Sequence, residues 1–168
     1  MLSSHELFGF MSPALASDIL SFAFESDKPA YKAVLNGIAE ARKLRPIFLE
    51  RQPREQRHAL MILTLSRPNL ESVAAGLIRA WLVKKHKTML VDFLDALGIA
   101  NNEGVVDDLP ATVDDAKLKA AIEALLAKHP PEVVSVYLNA FNGMNEASWT
   151  NLKTMLESDP RLQLGGHA

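Results

Sequence analysis

Glu55 and His58 stand at the spacing E-x-x-H, which on a helix puts a carboxylate and an imidazole one turn apart. In a helical bundle such a pair supplies two ligands of a metal centre, but a di-iron site needs two such motifs and two further glutamates. No second E-x-x-H occurs, and the other acids between residues 28 and 87 are Glu40, Glu50 and Glu71. The pair therefore reads as an ordinary polar helix face. The histidines, at 5, 58, 86, 129 and 167, include no i, i+4 pair, and H-E-x-x-H is absent. His86 lies in a lysine run that disfavours its protonation. His129 falls in a last helical turn, where the dipole suits a cation. The chain has no cysteine, which removes disulfides, thiolate nucleophiles and Cys-ligated zinc.

The run Asn101-Asn102-Glu103-Gly104-Val105-Val106-Asp107-Asp108 has the composition of a calcium loop. Aligning Gly104 with the loop glycine puts Ile99 and Pro110 at the first and last ligand positions, and neither offers a side-chain oxygen. Asp92 and Asp95 share a helix side and do acid–base work only inside a pocket. Glycine-rich phosphate cradles, the Walker lysine and the G-x-S-x-G elbow are missing. No motif specifies a reaction, so no catalytic residue, cofactor or metal is expected.

Charge is the more informative property. The formal net charge is -2, but residues 1–27 carry four acids and no Lys or Arg. Residues 28–87 carry thirteen bases and four acids, net +9, and residues 88–168 carry five bases and twelve acids, net -7. Such polarity favours charge-guided pairing. The densest basic set is Arg42, Lys43, Arg45, Arg51, Arg54 and Arg57. If these converge on one face they could contact phosphates or another anion. No helix-turn-helix signature or stacking aromatics accompany them, and the chain as a whole is not basic.

Helices must position these groups. Ser12-Pro13 is a capping hydroxyl followed by proline at the first helical position, and Asp27 stands likewise before Lys28-Pro29. Pro46 and Pro53 open further segments, and Pro68 ends the run Ala59–Leu65. Asn69 is expected to cap a helix carrying Leu70, Val73, Leu77, Ile78 and Trp81. The stripe fails at Lys84-Lys85-His86-Lys87, which predicts two helices, the second capped by Thr88. Gly98-Ile99 fits a Schellman ending. Residues 98–113 are irregular; Thr112 and Asp115 form a partial capping box, and Asn145 is placed as the cap of a last helix. Asn142-Gly143 is expected to stop the segment before it. That segment, Val133–Tyr137, keeps helical spacing although its β-branched residues lean toward strand.

The expected architecture is all-α: an irregular bundle of about seven or eight helices, with a short helical array as the alternative. A single domain over 1–164 with a flexible tail at 165–168 is expected, since the chain has 168 residues. No basic leader precedes an apolar run and no stretch reaches membrane-spanning length, so the expected compartment is the cytoplasm. Leu7, Phe8, Phe10 and Met11 precede a helix with Leu15, Ile19, Phe22 and Phe24 around most of its circumference. Leu7, Phe8, Phe10, Met11, Leu15, Phe22 and Phe24 are therefore the candidate interface of a homodimer. The favoured function is a helical protein-interaction or regulatory module without catalytic activity. The alternatives are a nucleic-acid-associated protein using the 42–57 bases, and an enzyme whose site assembles from distant residues.

Overall fold

In a computed structural model, residues 1–145 and 148–165 are described. They are all-α: ten helices and two 3₁₀ turns, with one isolated bridge between Asn102 and Val105. The chain divides into two compact units, one spanning Leu2–Trp81 and the other Leu82 onward together with Met1.

The first unit contains α1 (Ser4–Phe10), α2 (Pro13–Ser26), α3 (Lys28–Ala41), α4 (Pro46–Glu50), α5 (Arg54–Leu65) and most of α6 (Glu71–Lys85). Helix α1 is an addition to the expected set. Its apolar faces, Leu7 and Phe8, are buried, and α5 and the 3₁₀ turn Pro68–Leu70 pack against it. Its free N–H groups are met by carboxylates. Ser3 N donates to Glu6 at 2.8 Å, and Ser4 N and His5 N donate to Glu71 at 2.9 and 2.8 Å. Burial alone would raise the Glu71 carboxyl, but hydrogen bonds from His5 and Ser4 outweigh it and hold the group below its ordinary range. Ser12 and Asp27 cap α2 and α3 as expected, accepting from Leu15 N and Ala30 N at 3.2 Å each. Helix α5 is central: it packs on α1, α2 and α3, and Met61 and Leu65 are fully buried.

Four cap positions are corrected, one of them Asn145 in the second unit. Asn69 lies inside the 3₁₀ turn, and α6 begins at Glu71. Two helices do meet in the lysine run, but the break is at His86, because α7 (Lys87–Ala96) starts before Thr88. Helix α8 (Asp115–Lys128) is capped by Asp114, which accepts from Lys117 N at 3.0 Å, rather than by Thr112.

The second unit is built on α9 (Pro131–Met144), with α8, α10 (Thr150–Ser158) and the turn Pro160–Leu162 packed around it, and α7 against α8. Nine of the α9 residues are buried. A helix covered on nearly all sides tolerates β-branched apolar residues at every register position, which is why Val133–Tyr137 is helix and not strand. The helix passes through Gly143, beyond the expected stop. Asn145 closes α9 rather than opening α10, whose N-cap is Trp149; residues 146 and 147 lie outside the described set. Two buried polar side chains of α9 are satisfied, Ser135 donating to Leu162 O at 2.5 Å and Asn142 exchanging bonds with the Trp149 backbone at 2.9 and 3.2 Å, whereas the buried Tyr137 hydroxyl has no hydrogen-bond partner.

Gly98 ends α7 as a Schellman motif, with φ +69, Ile99 N bonded to Leu94 O at 2.9 Å and Gly98 N to Asp95 O at 3.0 Å. Gly104 has φ +85, and a Cβ there would lie 2.6 Å from Leu90 Cβ. Gly104→Ala should therefore destabilise the protein by about 1–3 kcal/mol in urea unfolding. Gly76→Ala, in open space on α6, should stabilise it by up to about 1 kcal/mol. Equal effects at the two positions would contradict the strain at Gly104.

Candidate functional site

The basic residues sit where α3 ends, α4 crosses and α5 begins. Arg42 is the C-cap of α3, and its Nε donates to Thr64 Oγ1 at 2.6 Å. Lys43 adopts φ 55, the left-handed position that usually takes glycine, so that Leu44 N can reach Ala39 O at 2.8 Å. Arg45 and Arg51 flank α4 at its two ends, and both are exposed.

Arg54 and Arg57 lie one turn apart on α5 but do different things. Arg54 is exposed and its Nη2 contacts Glu25 Oε1 at 2.8 Å. Arg57 is only 8% exposed. Its Nε donates to the Tyr31 hydroxyl at 2.7 Å, and its Nη1 donates to Glu50 O and Gln52 O at 3.2 and 3.3 Å. Two carbonyls left free at the end of α4 are thereby satisfied. The Tyr31 hydroxyl also meets His58 Nε2 at 3.0 Å. Burial first, then the Arg57 and Arg54 charges, lower the His58 imidazole to about 4. His58 is therefore neutral at pH 7, and the direction of its hydrogen bond with the Tyr31 hydroxyl follows the imidazole tautomer. Phe24 packs edge-on to Tyr31 with ring centroids 5.2 Å apart, and both guanidiniums approach its ring, at 4.5 Å for Arg54 and 5.3 Å for Arg57.

The E-x-x-H pair is thus split. His58 is buried in this network while Glu55 is exposed, and no group of three or more metal-binding side chains exists among the described residues. No helix of the described residues is long and apolar enough to cross a membrane. Asp92 and Asp95 face separate partners, Lys128 at 3.7 Å and Asn101 at 3.0 Å.

Of the N-terminal apolar set, Leu7, Phe8, Met11 and Leu15 are buried inside their own unit. Phe22 is half-buried, and Phe10 and Phe24 keep 49% and 37% of their surface exposed. The sequence reading missed a more exposed apolar group beside the bases: Leu44, Ile47 and Phe48, at 41%, 46% and 53%. The signal was available. A five-residue helix with three consecutive bulky apolar residues buries one side only, and here Leu49 takes it.

The site thus offers exposed apolar side chains at Leu44, Ile47 and Phe48, with exposed Lys43, Arg45 and Arg51 within four residues of them in the chain and Arg54 at the start of α5. Glu25, Glu40, Glu50 and Glu55 are the acids close to it in sequence or contact, as many as the four exposed cations; Glu25 pairs with Arg54, and among the described residues no carboxylate lies within ion-pair distance of Lys43, Arg45 or Arg51. Comparison with known proteins finds no family model, curated protein or solved structure that matches the chain.

The His58 environment predicts a pH dependence. An unfolded histidine binds its proton near pH 6.5, while the folded one does so near pH 4. Between those values the unfolded state holds more protons, so stability is full above about pH 6.5 and declines as pH falls toward 4. The urea midpoint should drop across this window, and His58→Gln should flatten the drop. A His58 ring signal that titrates at the ordinary histidine pKa would contradict the burial of the neutral form.

Proposed function

We propose that the chain is a helical protein-interaction module without catalytic activity, whose docking face is the strip on α4 and its basic rim. The observation that carries this reading is the conjunction of Ile47 and Phe48, about half exposed, with four exposed cations near them in the chain. Apolar side chains of this size are kept in water at a cost of roughly 1.5–3 kcal/mol each when burial is available. The rim selects an acidic partner. A nucleic-acid backbone fits less well, because Arg42 is turned to an internal acceptor and exposed apolar side chains stand among the other bases.

A second copy of this chain supplies a segment of matching chemistry. Residues 101–115 carry Glu103, Asp107, Asp108, Asp114 and Asp115, all exposed, with Val105 39% exposed among them. Reciprocal docking of this segment on the basic face of the other copy closes a two-fold dimer. This moves the expected dimer contact off Leu7, Phe8, Met11 and Leu15, which serve the core.

Sedimentation equilibrium tests the proposal. The protein should be dimeric at low salt and dissociate as salt rises. Ile47→Asp with Phe48→Asp should give a monomer with an unchanged circular dichroism spectrum, and so should Asp107→Lys with Asp108→Lys. A wild-type monomer at low salt would remove the second copy as partner. Low-salt binding of duplex DNA that is abolished by Arg51→Glu with Arg54→Glu would favour the nucleic-acid reading instead.

A further inference from the structure

Among the described residues Arg57 is the one buried arginine, and no carboxylate hydrogen-bonds to it, although the Glu50 charge reaches its partner Tyr31. Arg161 shows the contrast: it is met by Glu123 at 2.5 and 3.0 Å and by Asp159 at 2.8 and 3.1 Å. The Arg57 neighbours are a phenol, two backbone carbonyls and an aromatic ring, all neutral. His58, held neutral, adds no charge of either sign. Among the described residues no carboxylate pairs with Arg57, and its Nη2 has no partner. Arg57 as a whole keeps 8% of its surface exposed. Two N–H groups of a buried cation thus remain for an external acceptor.

Arg54 stands one turn away over the same Phe24 ring, and it already holds an oxyanion, the Glu25 carboxylate. The Glu25 and Arg54 side chains are 60% and 41% exposed. Such a pair is worth little and exchanges readily with solvent or another anion. A guanidinium fork fits a carboxylate or phosphoryl group in two-point contact, and a second guanidinium nearby adds to the attraction.

We propose that Arg54 and Arg57 form an oxyanion receptor beside Phe24, in which a carboxylate of the docked acidic segment takes the place of Glu25. The proposal rests on the docking face described above and names the contact that reads the partner's charge there. Glu25 then acts as an internal competitor that keeps the receptor occupied until a partner arrives.

Two measurements test it. In sedimentation velocity, Glu25→Gln should tighten the dimer by about two- to fivefold, the range of one exposed ion pair. Arg54→Gln should loosen it by about fivefold or more. Arg54→Lys, which keeps the charge and loses the fork, should recover only part of that loss. In the second measurement, inorganic phosphate is titrated against sodium chloride of equal ionic strength, reading the Arg54 and Arg57 Nε–H signals by NMR. Phosphate should shift both signals saturably, more strongly in Glu25→Gln, and chloride should not. Signals that respond identically to the two salts would overturn the receptor, as would Glu25→Gln leaving the dimer unchanged. The docking face would still stand if Ile47→Asp with Phe48→Asp abolished the dimer. Should the wild-type chain prove monomeric, the phosphate titration alone decides the receptor.

Discussion

The guanidinium of Arg57 is the contact on which the basic half of the molecule depends. Taking a cation out of water is costly unless its donors are met, and the acceptors here come from separate pieces of chain. Tyr31 belongs to α3, Glu50 ends α4, and Gln52 lies in the link to α5. A five-residue helix cannot hold itself in water, so α4 exists because it is pinned from both sides. Leu49 anchors it on the inner face and Arg57 ties down its last carbonyls. With that orientation set, Ile47 and Phe48 have nowhere to point but outward. The exposed apolar strip is thus a consequence of how the buried charge is satisfied.

The network also settles the state of its members. The Tyr31 hydroxyl accepts from Arg57 and also meets His58 Nε2 and Met61 Sδ, so it ties three side chains of α5 to α3. Burial raises the Tyr31 hydroxyl above its ordinary range, although the Arg57 hydrogen bond and charge pull the other way. A phenol and an imidazole held this firmly in their neutral forms are poor proton-transfer groups near neutrality. The cluster ties α3, the end of α4 and α5 together.

Local signals made much of the fold legible and little of the site. Ser12, Asp27, Pro46, Pro53 and Gly98 mark helix ends by side-chain or backbone chemistry acting within a few residues, and all five operate as read. Helix α1 escaped because the carboxylate that satisfies its first N–H groups, Glu71, lies 66 and 67 residues away. The cap of α8 moved from Thr112 to Asp114 because both are capping residues, and sequence spacing alone does not choose between them. The same limit governs the bases. Arg54 and Arg57 look alike in sequence, and only Tyr31, 26 residues from Arg57, decides that one turns in and the other stays out. Residue type identified the cluster, but its division into structural and accessible charges is a tertiary property.

That division bears on how the face would discriminate between partners. Cations spread on exposed loops attract any anion, and salt screens them equally for all. A guanidinium fixed by three internal hydrogen bonds has lost its rotamer freedom in folding, so an acceptor that meets it loses less entropy than one ordering a free arginine. In the proposed docking, burial of Ile47 and Phe48 would provide most of the affinity, and the fixed and mobile guanidiniums would set which acidic segment aligns with them. An anion without apolar neighbours would gain only the charge contact, and an apolar segment without an acid would leave the Arg57 charge uncompensated as it displaced the water around it. A partner of the proposed face would therefore need both features at once, in a fixed relative position, and that joint demand would be the source of selectivity.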